Sequence, residues 1–263
     1  MPEVQRAPAA PAVSLDEAGG VWSDLPGRPT IEGQRALEVL LEGRIEVAGR
    51  LPWSSNRTFL ASCSDGQDVV PAVYKPGRGE RPLWDFPGGL YHREVAAYEL
   101  AVQLGWDFVP ETVLRHDAPM GPGSLQRFVP ADFSEHYFSL LESGRHHEEL
   151  KAICTFDAVA NNADRKSGHC LLGRDGRVWG VDHGLCFHYQ PKLRTVIWDW
   201  SGEPIPGRLL VDLERVADEP SPLAGLLDEA ELEALVQRAR AVVALGRFPA
   251  PDPGSRPYPW PLV

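Results

Sequence analysis

The 263-residue chain lacks several features that mark well-known classes of protein. It has only four cysteines, and no two of them show the C-x-x-C spacing of a zinc or thioredoxin-like redox site. No stretch reaches the roughly 18 consecutive apolar residues of a membrane-spanning helix. Positive charge is also scarce, because 26 Lys and Arg face 37 Asp and Glu, for a formal net charge of −11. That balance argues against broad nucleic-acid binding, which needs a basic face.

Several catalytic motifs are missing as well. There is no G-x-x-x-x-G-K-[ST] phosphate loop, no G-x-S-x-G esterase elbow and no H-E-x-x-H metal helix. The first 20 residues lack a charged segment followed by an apolar one, so we expect no secretory leader. The four cysteines are therefore expected to be core residues of a cytoplasmic protein.

What is present predicts an α+β protein with two lobes. Hydrophobic residues make up 43% of the chain, which is enough for a sizeable core. Residues 1–30 are rich in Ala, Pro and Gly and are expected to form a loose arm, and residues 248–263 a proline-rich tail lying extended over the surface. Between them we place a sheet-containing lobe at residues 31–129 and a mainly helical lobe at 130–247.

Local patterns assign the elements of these lobes. Strands are predicted at 44–48, 57–62, 69–74, 109–114 and 124–129, and a hairpin at 170–172 and 177–181. Helices are predicted at 32–41, 91–104, 148–161 and 228–245. The last of these begins with Asp228 and Glu231 in the D-x-x-E spacing of a capping box.

The polar loop around the hairpin is the most informative segment. Asp164 and His169 precede the hairpin and Asp182 follows it, so the fold-back of the chain predicts that the three side chains converge. Two carboxylates and an imidazole at loop ends form a candidate metal and general-base site. Arg165 is expected to pair with an acid of the loop. His183 is expected to be a supporting or surface residue.

Two upstream residues complete the parts needed for phosphoryl transfer. Lys75 ends an apolar strand, so its stem can be buried while its ammonium neutralises phosphate charge. Glu94 lies on a helix face with Ala97 and Ala101, whose small side chains allow close approach to a sheet. An acid at that position suits the role of holding the lysine.

In this order and spacing the motifs resemble the phosphatidylinositol 3/4-kinase family, especially its type II phosphatidylinositol 4-kinase branch. HipA-like kinases share the same plan. The matching pieces are VYKP at 73–76, REVAAYEL at 93–100, FDAVANNADRKSGHCLL at 156–172 and VDHGLCF at 181–187. Each motif is short, and the resemblance spans roughly residues 40–245.

The resemblance implies an ATP-dependent kinase of the protein-kinase-like fold that uses Mg²⁺ or Mn²⁺. Lys75 would contact the nucleotide phosphates, Glu94 would hold Lys75, Asp164 would be the catalytic base, and Asp182 and His169 would bind the metal. The implied nucleotide contacts are Ser54, Ser55 and Asn56 in the phosphate-covering turn, Gln126 and Phe128 in the hinge, and Leu171 or Leu172 under adenine. The acceptor is a hydroxyl of a lipid, a protein Ser/Thr or a small molecule, and a protein partner is an open possibility.

One departure from the family pattern keeps alternatives open. The family loop usually ends in Asn, but here that position is His169, and imidazole suits Mn²⁺ better than Mg²⁺. Either the metal preference changes, or an oxygen such as that of Ser167 substitutes, or phosphotransfer is impaired. The rival interpretations are a nucleotide-binding pseudokinase and a metal-dependent phosphohydrolase that would use Asp164, His169, Asp182 and His183.

Overall fold

The computed structural model describes residues 31–51, 54, 56–218, 223–252, 254 and 256–262. The predicted loose arm at 1–30 lies outside these residues. In chain order the elements are α1 (Gly33–Glu42), β1 (Arg44–Arg50), β2 (Phe59–Ser64), β3 (Val69–Pro76), α2 (Leu90–Leu104), β4 (Thr112–Arg115), β5 (Gly123–Arg127), β6 (Ala131–Asp132), α3 (Tyr137–Ser143), α4 (His147–Ala160), β7 (Cys170–Gly173), β8 (Val178–Gly180), α5 (Gly207–Asp218) and α6 (Glu229–Leu245).

The chain divides into two compact units, of which the first contains a five-stranded sheet. Its strand order is β1-β2-β3-β5-β4, and the pairs β1–β2, β2–β3 and β3–β5 are antiparallel. Strand β3 alternates half-buried and buried positions, so Val70, Ala72 and Tyr74 face a core shared with α1 while Lys75 lies on the opposite face. The period of two along β3 thus separates the packing residues from the candidate lysine.

The second unit is mainly helical, with the small antiparallel sheet β6-β7-β8. Its core joins residues from helices α2 to α6 and from the hairpin β7–β8. The predicted capping box at the start of α6 is confirmed, because the Asp228 carboxylate accepts from the Glu231 N–H at 2.8 Å and the Asp228 N–H donates back to Glu231 at 3.2 Å. Two helices that sequence patterns did not predict, α3 and α5, also pack in this unit.

The units differ from the predicted lobes in one segment. The first comprises residues up to Arg81 together with 113–128, and the second comprises 82–112 and residues from 129 onward. Residues 82–112, which carry α2, were assigned by sequence to the sheet-containing lobe. They group with the helical unit because Ala96, Leu100 and Leu104 pack into its core and Arg93 pairs with Glu231 of α6.

The four cysteines lie in the core, and the described part of the terminal tail is irregular. All four cysteines are free and buried, and burial raises the thiol pKa of Cys63 to about 11 and of Cys170 to about 12. The described part of residues 248–262 contains no helix or strand and is held by backbone hydrogen bonds of Pro257 and Leu262. Among the described helices, none is long and apolar enough to cross a membrane.

Candidate active site

The loop after α4 carries the candidate base Asp164. The helix ends where Asn161 adopts a left-handed conformation (φ 55°), and the side chain of Asn162 then accepts from the Asp164 N–H at 3.0 Å. The Asp164 carboxylate is 24% exposed and lies 3.1 Å from the Lys166 ammonium. Burial raises the pKa of Asp164 to about 6, outweighing the opposing effect of Lys166. A carboxyl poised near neutral pH suits proton transfer.

A buried arginine holds this loop in place. Arg165 is fully buried and donates to both oxygens of Asp157 on α4, at 2.8 and 2.9 Å. It also donates to the carbonyl of Val181 at 2.8 Å and to that of His169 at 3.3 Å. One guanidinium therefore ties the loop to the helix before it and to both ends of the hairpin after it.

The predicted partner of Arg165 was an acid of the loop, and this prediction is wrong. Asp157 lies on α4 and is itself fully buried, and its Oδ1 also accepts from the side chain of Asn162 at 2.9 Å. Taking both charges out of water is tolerable because the pair is bidentate and its remaining polar atoms are hydrogen-bonded. Sequence reasoning missed Asp157 because a single carboxylate inside an apolar helix shows no periodic signal.

The D-H-G segment 182–184 is held by the same network. His183 is fully buried, its Nε2 lies 2.8 Å from the Arg165 guanidinium, and its backbone N–H donates to Glu94 at 3.1 Å. Because Arg165 can only donate, Nε2 of His183 accepts in this bond. A side chain on Gly184 would meet the Glu94 carboxylate at 3.1 Å, so glycine suits this close approach. The hydrogen bonds thus run from Asp157 through Arg165 and His183 to Glu94.

The three side chains predicted to converge do so in part. The Nε2 of His169 lies 3.3 Å from an Asp182 oxygen. Asp164 is close enough to Asp182 that the Asp182 charge adds to the effect of burial and raises the pKa of Asp164 further. Asp182 is half exposed and adopts a left-handed conformation with φ 61°. A non-glycine residue in that region is strained, which is typical of functional positions.

His169 and Asp182 are in direct contact with each other, and the separation of their atoms is compatible with two neighbouring ligands of a divalent ion. Two neighbouring ligands at about 2.1 Å from an octahedral ion lie roughly 3 Å apart, close to the observed separation. Within the part of the chain that the structure describes, no group of three or more His, Cys, Asp or Glu side chains gathers as a metal site. A two-ligand site of this kind depends on oxygens from a bound phosphate or water. The four-ligand interpretation with His183 is disfavoured, because His183 is buried against Arg165.

The sheet-containing unit positions the other candidate residues by itself. Lys75 is half-buried on β3 and pairs with Ser124 of β5, and Gln126 is buried opposite Val73. Phe128 is held by a hydrogen bond from its N–H to Pro71 at 2.8 Å. The implied hinge therefore begins within the last residues of β5, at Gln126, and continues past its end at Arg127.

The turn implied to cover phosphate is only partly described. Ser55 lies outside the described residues. The hydroxyl of Ser54 shares a hydrogen bond with Thr58 at 2.7 Å, and the Asn56 side-chain oxygen accepts from the Arg81 N–H at 2.9 Å. These bonds engage the hydroxyl of Ser54 and the side-chain oxygen of Asn56. Leu171 and Leu172 are half-buried on β7.

Comparisons with known proteins give a consistent result. The family model of phosphatidylinositol 3- and 4-kinase matches residues 93–243, more than half of the chain. The protein Rv2133c of Mycobacterium tuberculosis (strain ATCC 25618 / H37Rv) is 41% identical over 262 residues, covering 85% of this chain and 94% of that protein.

Solved structures show the same fold at low sequence identity. A Golgi casein kinase with Mn/ADP bound matches with a TM-score of 0.51 at 14% identity, over 80% of this chain and 74% of that one. The Helicobacter pylori proinflammatory kinase CtkA matches with a TM-score of 0.52 at 11% identity, over 84% of this chain and 95% of that one. The predicted α+β, protein-kinase-like fold class is thereby confirmed.

Proposed function

Because this chain belongs to the phosphatidylinositol 3- and 4-kinase family, we propose that it is an ATP-dependent phosphotransferase that moves the γ-phosphoryl group to a hydroxyl acceptor. The observation that carries the proposal is the Asp164 carboxylate, which lies partly exposed on a loop fixed by the fully buried Arg165. Phosphoryl transfer is catalysed mainly by positioning and by charge stabilisation, and a rigid loop bearing a base meets the first need.

Asp164 is proposed as the catalytic base. With a pKa near 6 it is mostly ionised at neutral pH, yet it is basic enough to accept the proton of the attacking hydroxyl. The proton moves from the acceptor hydroxyl to the carboxylate as the oxygen attacks phosphorus, and ADP departs with the electron pair of the broken bond. Lys166, 3.1 Å from Asp164, is proposed to stabilise charge on the transferred group.

Lys75 and Glu94 are proposed to serve the nucleotide phosphates. Lys75 lies on the face of β3 opposite the core, which supports contact between its ammonium and the phosphates of a bound nucleotide. Glu94 is proposed to hold Lys75, and its hydrogen bond from the His183 N–H also links it to the segment that carries Asp182. Gln126, Phe128, Leu172, Ser54, Ser55 and Asn56 are proposed nucleotide contacts.

A divalent ion is proposed at Asp182 and His169. When bound, the ion neutralises negative charge on the phosphates, which is its usual role in this chemistry. Asp182 supplies the hard oxygen, and His169 supplies a nitrogen that suits Mn²⁺. The adjacent atoms of the two side chains support this assignment.

ADP formation from ATP tests the proposal directly. Purified protein is incubated with ATP, either Mg²⁺ or Mn²⁺, and in separate reactions a phosphatidylinositol vesicle, casein as a Ser/Thr protein, or glycerol as a small hydroxyl acceptor. We expect turnover with at least one acceptor and one ion, and faster turnover with Mn²⁺. Nucleotide binding is followed separately by thermal shift. Binding without turnover under both ions would contradict the proposal and support a second function.

That second function is a nucleotide-binding regulatory module without catalysis. The observation that favours it is His169, whose imidazole takes the place of the family's Asn beside Asp182. His169→Asn distinguishes the two functions. A gain of Mg²⁺-dependent turnover from none would show that His169 blocks catalysis, whereas loss of existing Mn²⁺-dependent turnover would support His169 as a working ligand.

A further inference from the structure

The described part of the terminal tail is anchored at both ends of residues 257–262. The carbonyl of Pro257 accepts from the Thr195 N–H at 3.0 Å and from the indole N–H of Trp198 at 3.2 Å. The carbonyl of Leu262 accepts from the Ser167 N–H at 2.8 Å. Between these anchors Pro259 is buried. Three hydrogen bonds and a buried ring hold the segment in one place.

The two segments that bind the tail, residues 194–198 and the loop of Asp164, are hydrogen-bonded to each other. The Arg165 N–H donates to the carbonyl of Arg194 at 3.0 Å, and the Val196 N–H donates to the carbonyl of Arg165 at 3.1 Å. The tail therefore contacts the segment 194–198, which pairs with the loop of Asp164, and it contacts that loop directly at Ser167. Ser167 lies three residues from Asp164, which places the two at most about 11 Å apart.

The docked tail leaves the candidate base accessible. Asp164 is 24% exposed and Asp182 is 50% exposed while the tail is in place. The docked tail therefore does not cover the two acids. Its own rings face solvent, since Tyr258 is 52% and Trp260 88% exposed. Large rings on an anchored segment provide a ready contact surface for a ligand.

We propose that residues 257–262 form one wall of the acceptor site and are a specificity-determining segment. A base must lie within hydrogen-bonding reach of the hydroxyl it deprotonates, so the acceptor passes close to this wall. The exposed rings of Tyr258 and Trp260 suit an acceptor that carries an apolar or ring-shaped face beside its reacting hydroxyl. This inference rests on the proposed phosphotransferase function.

Loosening the wall should let more water reach the acceptor site, which is already partly open because Asp164 and Asp182 are exposed. Trp198→Phe keeps the ring and removes one anchoring hydrogen bond. The matched control is Trp106→Phe, which removes the indole bond to Asp212 of α5, at 2.9 Å, away from the tail. ATP hydrolysis without any added acceptor is measured for both. We expect about a fivefold rise for Trp198→Phe, the effect of one lost hydrogen bond, and no change in the KM for ATP.

Amide hydrogen exchange at Ser167 and Thr195 tests the docking without any need for activity. We expect exchange about fivefold faster in Trp198→Phe than in wild type, with Trp106→Phe unchanged. Equal exchange in the two variants would overturn the docked wall. Faster exchange in Trp198→Phe with unchanged hydrolysis would overturn its role at the acceptor site. The phosphotransferase function itself is tested separately, by ADP formation with added hydroxyl acceptors, so failure there is distinguishable from failure of the wall.

Discussion

The two units of the molecule bury charge in different ways. In the sheet-containing unit, buried Arg115 donates to the carbonyls of Leu40 and Gly43 and to the carboxylate of Asp117, whose side chain is 72% exposed. In the helical unit, Arg165 pairs with Asp157, and both partners are buried. Arg93 and Glu231 form a second such pair.

This difference links stability to the candidate chemistry in one unit only. In the helical unit the buried pair Arg165 and Asp157 also orients the loop of Asp164 and the segment of Asp182. In the sheet-containing unit the candidate lysine lies on the face of β3 away from the core shared with α1. Substitutions of the buried pair in the helical unit should therefore change activity and stability together, whereas a substitution of Lys75 in the sheet-containing unit should change activity alone.

The largest expected effect is that of Asp164→Asn. Removing a general base typically costs a factor of about 100 to 10,000, so ATP turnover should fall by that order while nucleotide affinity stays the same. Turnover is measured as ADP formation and affinity by thermal shift. Asp107→Asn, which changes an exposed acid of the same unit, is the matched control and should keep full activity. Unchanged turnover in Asp164→Asn would remove Asp164 from the mechanism.

The comparison of buried charges is tested by Arg165→Met against Arg115→Met. Arg165→Met leaves Asp157 buried without its partner, and we expect the free energy of unfolding to fall by about 3–5 kcal/mol. Arg115→Met leaves the carbonyls of Leu40 and Gly43 without a donor, but the acidic partner Asp117 is already exposed to water. We therefore expect the free energy of unfolding to fall by only about 1–3 kcal/mol. Urea denaturation measures both.

A double substitution sharpens that result. Asp157→Leu combined with Arg165→Met removes both buried charges and should recover part of the lost stability, because an apolar pair carries no desolvation cost. Turnover should not recover, since the loop of Asp164 would still lack its anchor to the carbonyls of Val181 and His169. Recovery of both properties would show that Arg165 has no positioning role.

Lys75→Met should lower activity without lowering stability. Loss of one charge-stabilising group typically costs a factor of about 100 in turnover. Because Lys75 faces away from the sheet core, the urea midpoint should stay at the wild-type value. A clear fall in that midpoint would show that the sheet-containing unit couples stability to chemistry as the helical unit does.

The smallest expected effect is a pH dependence from Asp164. Its pKa is raised to about 6, so below that pH the carboxyl is protonated and cannot act as a base. Turnover should rise about tenfold per pH unit as pH increases toward 6 and level off above it. The profile of ADP formation between pH 5 and pH 8 measures this, and a rate independent of pH across 6 would contradict the assignment.

Most elements of this fold were predictable because their signals are local. Strand β3 alternates at a period of two, and α6 begins at a capping box, so each was found within a few residues of its true bounds. Helix α5 was missed although its buried residues recur at helical spacing, because the preceding proline-rich and glycine-rich segment resembled a loop. Helix α2 was assigned to the sheet-containing lobe but packs in the helical unit. The apolar pattern of a helix shows which face is buried, but it does not show which element that face packs against.

Motif order and residue chemistry are properties of the linear chain, so they were enough to propose the candidate acids and lysine. The groups that surround these residues are defined only in the folded chain: Asp157 as the partner of Arg165, the His183 N–H as a donor to Glu94, and the tail against Ser167. These contacts join residues from 8 to 95 positions apart in the chain. Burial makes them possible, because a charge pairs tightly only where water is excluded, and which residues exclude water is a property of the whole fold.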